Sequence, residues 1–232
     1  DWTLGCEPWK DSRGSHDVGF VIFNSFGNGL RLDGQNASFR NVILEAANSL
    51  ASRYSPTVGM IRSWGDVHDT HAFEVIIDNL MNLELLFWSA HQSGNETLSQ
   101  MAVAHAEKTA KLWIRDDNST AHLCVFDPET GALLKQCTGT PQGLAASSTW
   151  ARGHSWAIYG FTMAYRYSRR PSMLRAAQRV ATFYLNRAPA DLIPPWDFDL
   201  SPATANDRDS SAAAIAASGL QELAQYSTPD LA

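Results

Sequence analysis

The sequence predicts an all-α protein built as an array of helical hairpins. Two observations carry this. Seven stretches place apolar residues at helical spacing, and only one stretch, between Ser119 and Cys137, has the pattern of a β-hairpin. No internal repeat and no low-complexity linker divides the chain. Its 232 residues suit one large domain or two small ones. Apolar residues at 44% and charged residues at 18% mark a globular composition rather than a disordered one.

The elements follow in order. Ser15-His16-Asp17 precedes a short helix from Val18 that ends near Gly27-Asn28-Gly29, with Asp17 as its expected N-cap. Asn36 is the N-cap of a helix from Ala37 to about Tyr54, where Phe39, Val42, Ile43, Ala46, Ala47 and Leu50 recur with helical period. Ala72 to Gln92 is expected as the next helix, stopped by Gly94, and Glu96 to Arg115 as the one after. Leu123, Val125 and Phe126, then Asp127-Pro128-Glu129-Thr130-Gly131, then Leu133 and Leu134, form the hairpin pattern. Helices are expected from about Thr149 to Tyr167, Ser172 to Asn186 and Asp209 to Tyr226. The Pro-rich Ile193-Pro194-Pro195-Trp196 breaks the pattern before the last.

Charge and composition exclude several classes. The net charge of −6 leaves no strongly basic surface, so nucleic acid is not expected as a partner. There is no run of about 18 apolar residues for a membrane span. The opening Asp1-Trp2-Thr3-Leu4-Gly5 has neither the basic nor the apolar region of a signal peptide. Three cysteines are too few for a disulfide-built fold. Cys124 and Cys137 flank the hairpin and could pair, but free thiols are the default expectation. Sequons at Asn36, Asn95 and Asn118 discriminate little. Eight tryptophans exceed ordinary usage and hint at flat faces for sugar rings, besides core volume.

The stretch Phe73 to Ser89 is the most informative. At 100° per residue, Ile76, Ile77, Leu80, Met81, Leu83, Phe87 and Trp88 fill one broad face. Asp78 and Asn82, four apart, share a polar stripe. A helix apolar on most sides is usually buried, and a carboxylate on it must be paired, hydrogen-bonded or protonated. The alternative is a solvated surface acid. Arg152 and Trp156 are also four apart, so a guanidinium and an indole share a helix face and can hold a carboxylate and stack a ring together. A structural ion pair is the plainer reading of Arg152, and a hydrogen-bonded structural histidine that of His122. No metal-ligand spacing such as H-E-x-x-H occurs, nor a Gly-rich phosphate loop, nor G-x-S-x-G. No metal and no cofactor are expected.

Five stretches, in order, carry a resemblance. They are Ser15-His16-Asp17-Val18-Gly19-Phe20; Ile76-Ile77-Asp78-Asn79-Leu80-Met81-Asn82-Leu83; Asp117-Asn118-Ser119-Thr120-Ala121-His122 with Phe126-Asp127-Pro128-Glu129-Thr130-Gly131; Ser148-Thr149-Trp150-Ala151-Arg152-Gly153-His154-Ser155-Trp156; and Trp196-Asp197-Phe198 with Arg208-Asp209-Ser210-Ser211-Ala212. Together they resemble the unsaturated glucuronyl hydrolases, glycoside hydrolase family 88, from about Ser15 to Tyr226. The resemblance implies an (α/α)6 barrel of six helical hairpins. It implies removal of an unsaturated uronic acid from the non-reducing end of oligosaccharides left by polysaccharide lyases. Asp78 matches the family's general acid/base and Asp17 its second essential carboxylate. His122, Gln142 and Arg152 match polar residues around the sugar, Trp64 and Trp156 match aromatic residues at its face, and His16 sits beside Asp17 as in the family.

The sequence departs from that pattern at Leu144-Ala145-Ala146-Ser147, where acidic residues are common, and at His154-Ser155, where Gln-Ala is more usual. A closed barrel of this kind needs twelve helices, so residues 1–232 are expected to form a single, truncated domain of the family. Two competing readings are an unsaturated rhamnogalacturonyl hydrolase acting on pectin fragments and a truncated, non-catalytic or carbohydrate-binding chain. The sequons and the Cys124/Cys137 pair slightly favour secretion over the cytoplasm. The resemblance also predicts that Asp78 and Asp17 approach each other at a cavity that contains Trp64 and Trp156.

Overall fold

The computed structural model describes residues 2–201 and 207–226. A 3-10 helix, Leu4–Asp11, leads into α1, Val18–Ile22. The expected stop near Gly27 does not occur. A π turn, Phe23–Gly27, carries the chain into α2, Asn28–Leu32, and such turns interrupt a helix without ending it. Next come α3, Ala37–Ala51; α4, Asn79–Ser93; α5, Glu96–Leu112; α6, Ala151–Ser168; α7, Pro171–Arg187; and α8, Ser210–Leu223. The caps are local and follow the sequence. Asn36 Oδ1 accepts from Phe39 N–H at 3.1 Å, Asp209 Oδ1 accepts from Ala212 N–H at 2.8 Å, and Gly94 takes the left-handed conformation that closes α4.

One expected helix is partly a strand. Residues 73–76 form β3, Phe73–Ile76, and α4 begins only at Asn79. Here two shorter strands, β1 Tyr54–Ser55 and β2 Met60–Ile61, precede it. A short apolar run fits either period. Phe73, Val75 and Ile76 are aromatic or β-branched, and a ladder partner far along the chain decides the matter. That partner is β4, Leu123–Phe126, which pairs in turn with β5, Leu133–Thr138, in one antiparallel sheet of order β3-β4-β5. The expected hairpin is therefore two thirds of a three-stranded sheet. Its turn forms as the sequence indicates, with Asp127 Oδ1 accepting from Glu129 and Thr130 N–H at 2.9 and 2.8 Å and Gly131 at φ +71°. Cys124 and Cys137 are not free thiols. They form a disulfide across β4 and β5, whose pairing brings their Cα atoms to 4.4 Å.

The helices stand in two rows. In the inner row α1 packs on α4, α4 on α6 and α6 on α8, while α3, α5 and α7 pack behind them. This alternation of inner and outer helices is that of a six-hairpin barrel, and the described residues supply four of its six inner helices. The inner row is close-packed. A Cβ on Gly160 of α6 would stand 2.5 Å from Leu80 Cβ on α4, and one on Gly219 of α8 would stand 2.9 Å from the Tyr159 backbone. Leu80, Leu83, Leu85 and Leu86 of α4 are completely buried, each stabilising the domain by about 1.5–3 kcal/mol. In the first half of α4, the carboxylate of Glu84 is buried. It accepts from Arg31 at 2.9 Å and Arg166 at 2.5 Å, which ties α2, α4 and α6 together.

Candidate active site

The site lies at the end of the inner helices where α4 and α6 begin. β3 ends at Ile76, so the next two residues turn the chain from sheet to helix and leave Asp78 in the N-cap position of α4. The carbonyl of His122, just before β4, accepts from Ile77 N–H at 2.9 Å and from the indole N–H of the buried Trp113 at 3.0 Å. The His122 N–H donates to Thr138 O at 2.7 Å. The sheet thus sets His122 against Asp78, with His122 Nδ1 3.6 Å from Asp78 Oδ1.

Asp78 makes no side-chain cap bond, and its Oδ1 is buried without a hydrogen-bond partner. Burial pushes its pKa from 3.8 up to about 7; its own backbone N–H opposes the rise, Asp17 adds to it and Arg152 opposes it. Burial likewise lowers the pKa of His122 to about 4, with the Gln142 side chain working the other way. His122 is therefore neutral at pH 7, and its approach to Asp78 is not an ion pair.

Asp17 stands at the start of α1 without capping it, contrary to its expected role. Its Oδ2 accepts from Ser15 Oγ at 2.9 Å, and its Oδ1 lies 3.4 Å from His16 Nε2. His16 is wholly buried, and desolvation lowers its pKa to about 4 against the pull of Asp17 and Asn79. The charge of Asp17 adds to the rise in the Asp78 pKa, and through it the two carboxyls are coupled.

Arg152, in the first turn of α6, is held by Asp209 Oδ2 through Nε at 3.1 Å and through the guanidinium Nη2 at 3.0 Å. Its guanidinium lies 5.7 Å from the Trp150 ring centroid, and Trp150 stands edge-on to His122 at 5.0 Å. Trp150 and Asp209 were both within recognisable motifs, but only their contacts reveal this relay from Asp209 to His122. Gln142 is exposed, on the loop that returns from β5 to α6. Asp197 anchors that loop, accepting from Leu144 N–H at 2.9 Å and Ser148 Oγ at 2.8 Å.

Trp156 meets Phe20 edge-on at 5.0 Å, and its buried indole N–H has no acceptor. Both line a cavity of about 320 Å³ between α1, α4, α6 and α8, together with Asn24, Met81 and Tyr159. Contrary to expectation, Asp17 and Asp78 are not part of that lining, and neither is Trp64. It is half-buried on the loop after Ser63, whose carbonyl accepts from His16 N–H at 3.1 Å. No group of three or more His, Cys, Asp or Glu among the described residues is arranged to hold a metal ion.

These features define part of a six-hairpin α/α barrel with a protonatable, largely buried carboxyl at the mouth of its inner helices. No family model matches the chain. An unsaturated glucuronyl hydrolase of Formosa agariphila is 43% identical over 228 residues, which are 97% of this chain and 56% of that protein. An unsaturated chondroitin disaccharide hydrolase of Streptococcus pyogenes serotype M1 is 36% identical over 208 residues, 90% of this chain and 51% of that protein. The crystal structure of an unsaturated glucuronyl hydrolase specific for heparin superposes with a TM-score of 0.90 at 36% identity, covering 97% of this chain and 60% of that one. The chain belongs to the unsaturated glucuronyl hydrolases, glycoside hydrolase family 88. It spans about half the length of the curated relatives it matches.

Proposed function

We propose that the protein hydrates the C4=C5 bond of an unsaturated glucuronic acid at the non-reducing end of a glycosaminoglycan-derived oligosaccharide, and so releases that sugar. The observation that carries this is Asp78, a largely buried carboxyl with its pKa raised to about 7, a rise to which the charge of Asp17 adds. A carboxylic acid that keeps its proton near neutrality suits the first step. The C4=C5 bond adjoins the ring oxygen as an enol ether. Asp78 protonates C4, and the positive charge is shared with the ring oxygen. Water adds at C5 with the Asp78 carboxylate as base, the hemiketal opens, and the glycosidic bond is lost in consequence. One carboxyl acts as acid and then as base. The separation rule for two glycosidase carboxylates has no bearing, because the anomeric carbon is not attacked.

The other residues have roles that fit this chemistry. Neutral His122 and the amide of Gln142 offer hydrogen bonds without competing for the proton of Asp78. Trp156 and Trp64 offer aromatic surface, and Arg152 offers a cation to an acidic sugar. His16 backs Asp17. Relatives named for chondroitin disaccharides and for heparin support glycosaminoglycan fragments as the substrate class.

The test follows the ultraviolet band of the C4=C5 bond in unsaturated glucuronyl disaccharides. The band disappears with the wild-type protein. Asp78→Asn, which cannot deliver a proton, lowers kcat by about 10²–10⁴-fold. A protein that leaves the band intact, or that consumes only unsaturated rhamnogalacturonan fragments, overturns the proposal.

A further inference from the structure

Asp17 occupies the N-cap of α1, yet its carboxylate caps nothing. The first N–H groups of a helix need acceptors, above all where the helix is buried. The acceptor for Phe20 N–H comes from another helix: Asn82 Oδ1 of α4, at 2.7 Å. Asn82 is completely buried. Its Nδ2 lies 3.5 Å from His16 Nδ1 and 3.4 Å from the Asp78 carbonyl oxygen. Gly19 makes the approach possible, since a Cβ there would stand 2.6 Å from Asn82 Oδ1. One amide therefore touches the first turn of α1, the histidine preceding Asp17 and the peptide of Asp78.

We propose that Asn82 is a positioning residue that sets Asp17 relative to Asp78, by capping α1 from the neighbouring helix and so leaving the Asp17 carboxylate free to act on the site. The proposal deepens the reading of Asp17 and Asp78 as the working carboxyls and rests on it. Both halves of the amide are used. Oδ1 accepts from α1 and Nδ2 faces His16 and Asp78, so an aliphatic side chain of similar size replaces neither. Asn82 carries no charge of its own. The charged or titratable groups around Asp78 are Asp17 and His16 before α1, His122 before β4, and Arg152 on α6, itself held by Asp209 at the start of α8.

The test compares Asn82→Ala, Asn82→Asp and Gly19→Ala with wild type, at temperatures where melting curves show each variant folded. Asn82→Ala is expected to lower kcat on the order of 10²-fold with KM near wild type, as a small misplacement of a working group does. The alkaline limb of the kcat profile should move to lower pH, because Asp17 no longer raises the pKa of Asp78. Gly19→Ala, which pushes the amide away, should move the limb in the same direction. Asn82→Asp, which keeps the acceptor for Phe20, should hold the limb at or above its wild-type position. In an Asp17→Asn background, Asn82→Ala should cost little more. An unmoved limb in both alanine variants, or a full additional loss in the Asp17→Asn background, overturns the proposal. A carbon-13 NMR titration of the Asp78 carboxyl reads the same displacement without turnover. If the wild-type protein leaves unsaturated uronides untouched, the functional reading fails, while that titration still decides the role of Asn82.

Discussion

The imidazole Nδ1 of His122 stands 3.6 Å from Oδ1 of Asp78, and at pH 7 the pair is held together by neither a full positive nor a full negative charge. Burial works on the two in opposite directions, lifting Asp78 to about 7 and dropping His122 to about 4. A proton in this site therefore resides on the carboxyl, the group that the proposed mechanism uses as its acid.

That ordering predicts the pH dependence of turnover. Asp78 is protonated below its pKa and ionised above it, so kcat should fall as pH rises through about 7. The profile is measured with an unsaturated glucuronyl disaccharide between pH 5 and pH 9, a range chosen to bracket that value. Turnover that is flat across the alkaline half of the range excludes Asp78 as the acid.

The same raised pKa predicts a cost in stability. The folded state holds the Asp78 proton more tightly than the unfolded chain does, so stability declines as pH rises from 3.8 through about 7. That span corresponds to about 4 kcal/mol between the ionised and protonated forms. Asp78→Asn removes the buried charge. It should be more stable than wild type at pH 8 by up to about 4 kcal/mol, with the difference shrinking toward pH 4. Urea unfolding at several pH values measures this, and a variant less stable than wild type at pH 8 contradicts it.

Acid should unfold the protein through its buried histidines. Desolvation is the leading cause in lowering His16, His122 and His154 to about 4 and His105 to about 3, from 6.5. His105 must stay neutral at Nδ1, which accepts from Ile61 N–H at 3.0 Å. Each histidine with a depressed folded pKa contributes stability that is fully present above 6.5 and is lost as pH falls through the folded value. Together they amount to on the order of 10 kcal/mol, comparable with the whole stability of a domain. The opposite trend of Asp78 offsets part of this. The melting temperature should fall steeply between pH 6.5 and pH 4.5, and His105→Asn, which keeps an acceptor for Ile61, should lessen the slope. A melting temperature constant over that range argues against four neutral buried histidines.

Much of this protein was legible because the forces concerned are local. Helical period, the Asn36 and Asp209 caps and the left-handed Gly94 depend on residues within a turn or two, so seven of the helical stretches and the Asp127–Gly131 turn could be placed from the sequence. The motifs around Asp17, Asp78, His122, Arg152 and Trp156 also singled out the residues to which the proposed function assigns roles. Tertiary structure decided what depends on distant partners. Phe73–Ile76 became a strand because β4 offers a ladder that helical period cannot foresee. Cys124 and Cys137 paired because β4 and β5 set their Cα atoms 4.4 Å apart. Asp17 lost its capping role because Asn82, 62 residues from Phe20, supplies the acceptor instead. The raised pKa of Asp78 follows from burial at the meeting of β3, β4, α4 and α6. Desolvation is a property of the assembled surroundings, and no residue of the motif carries it alone.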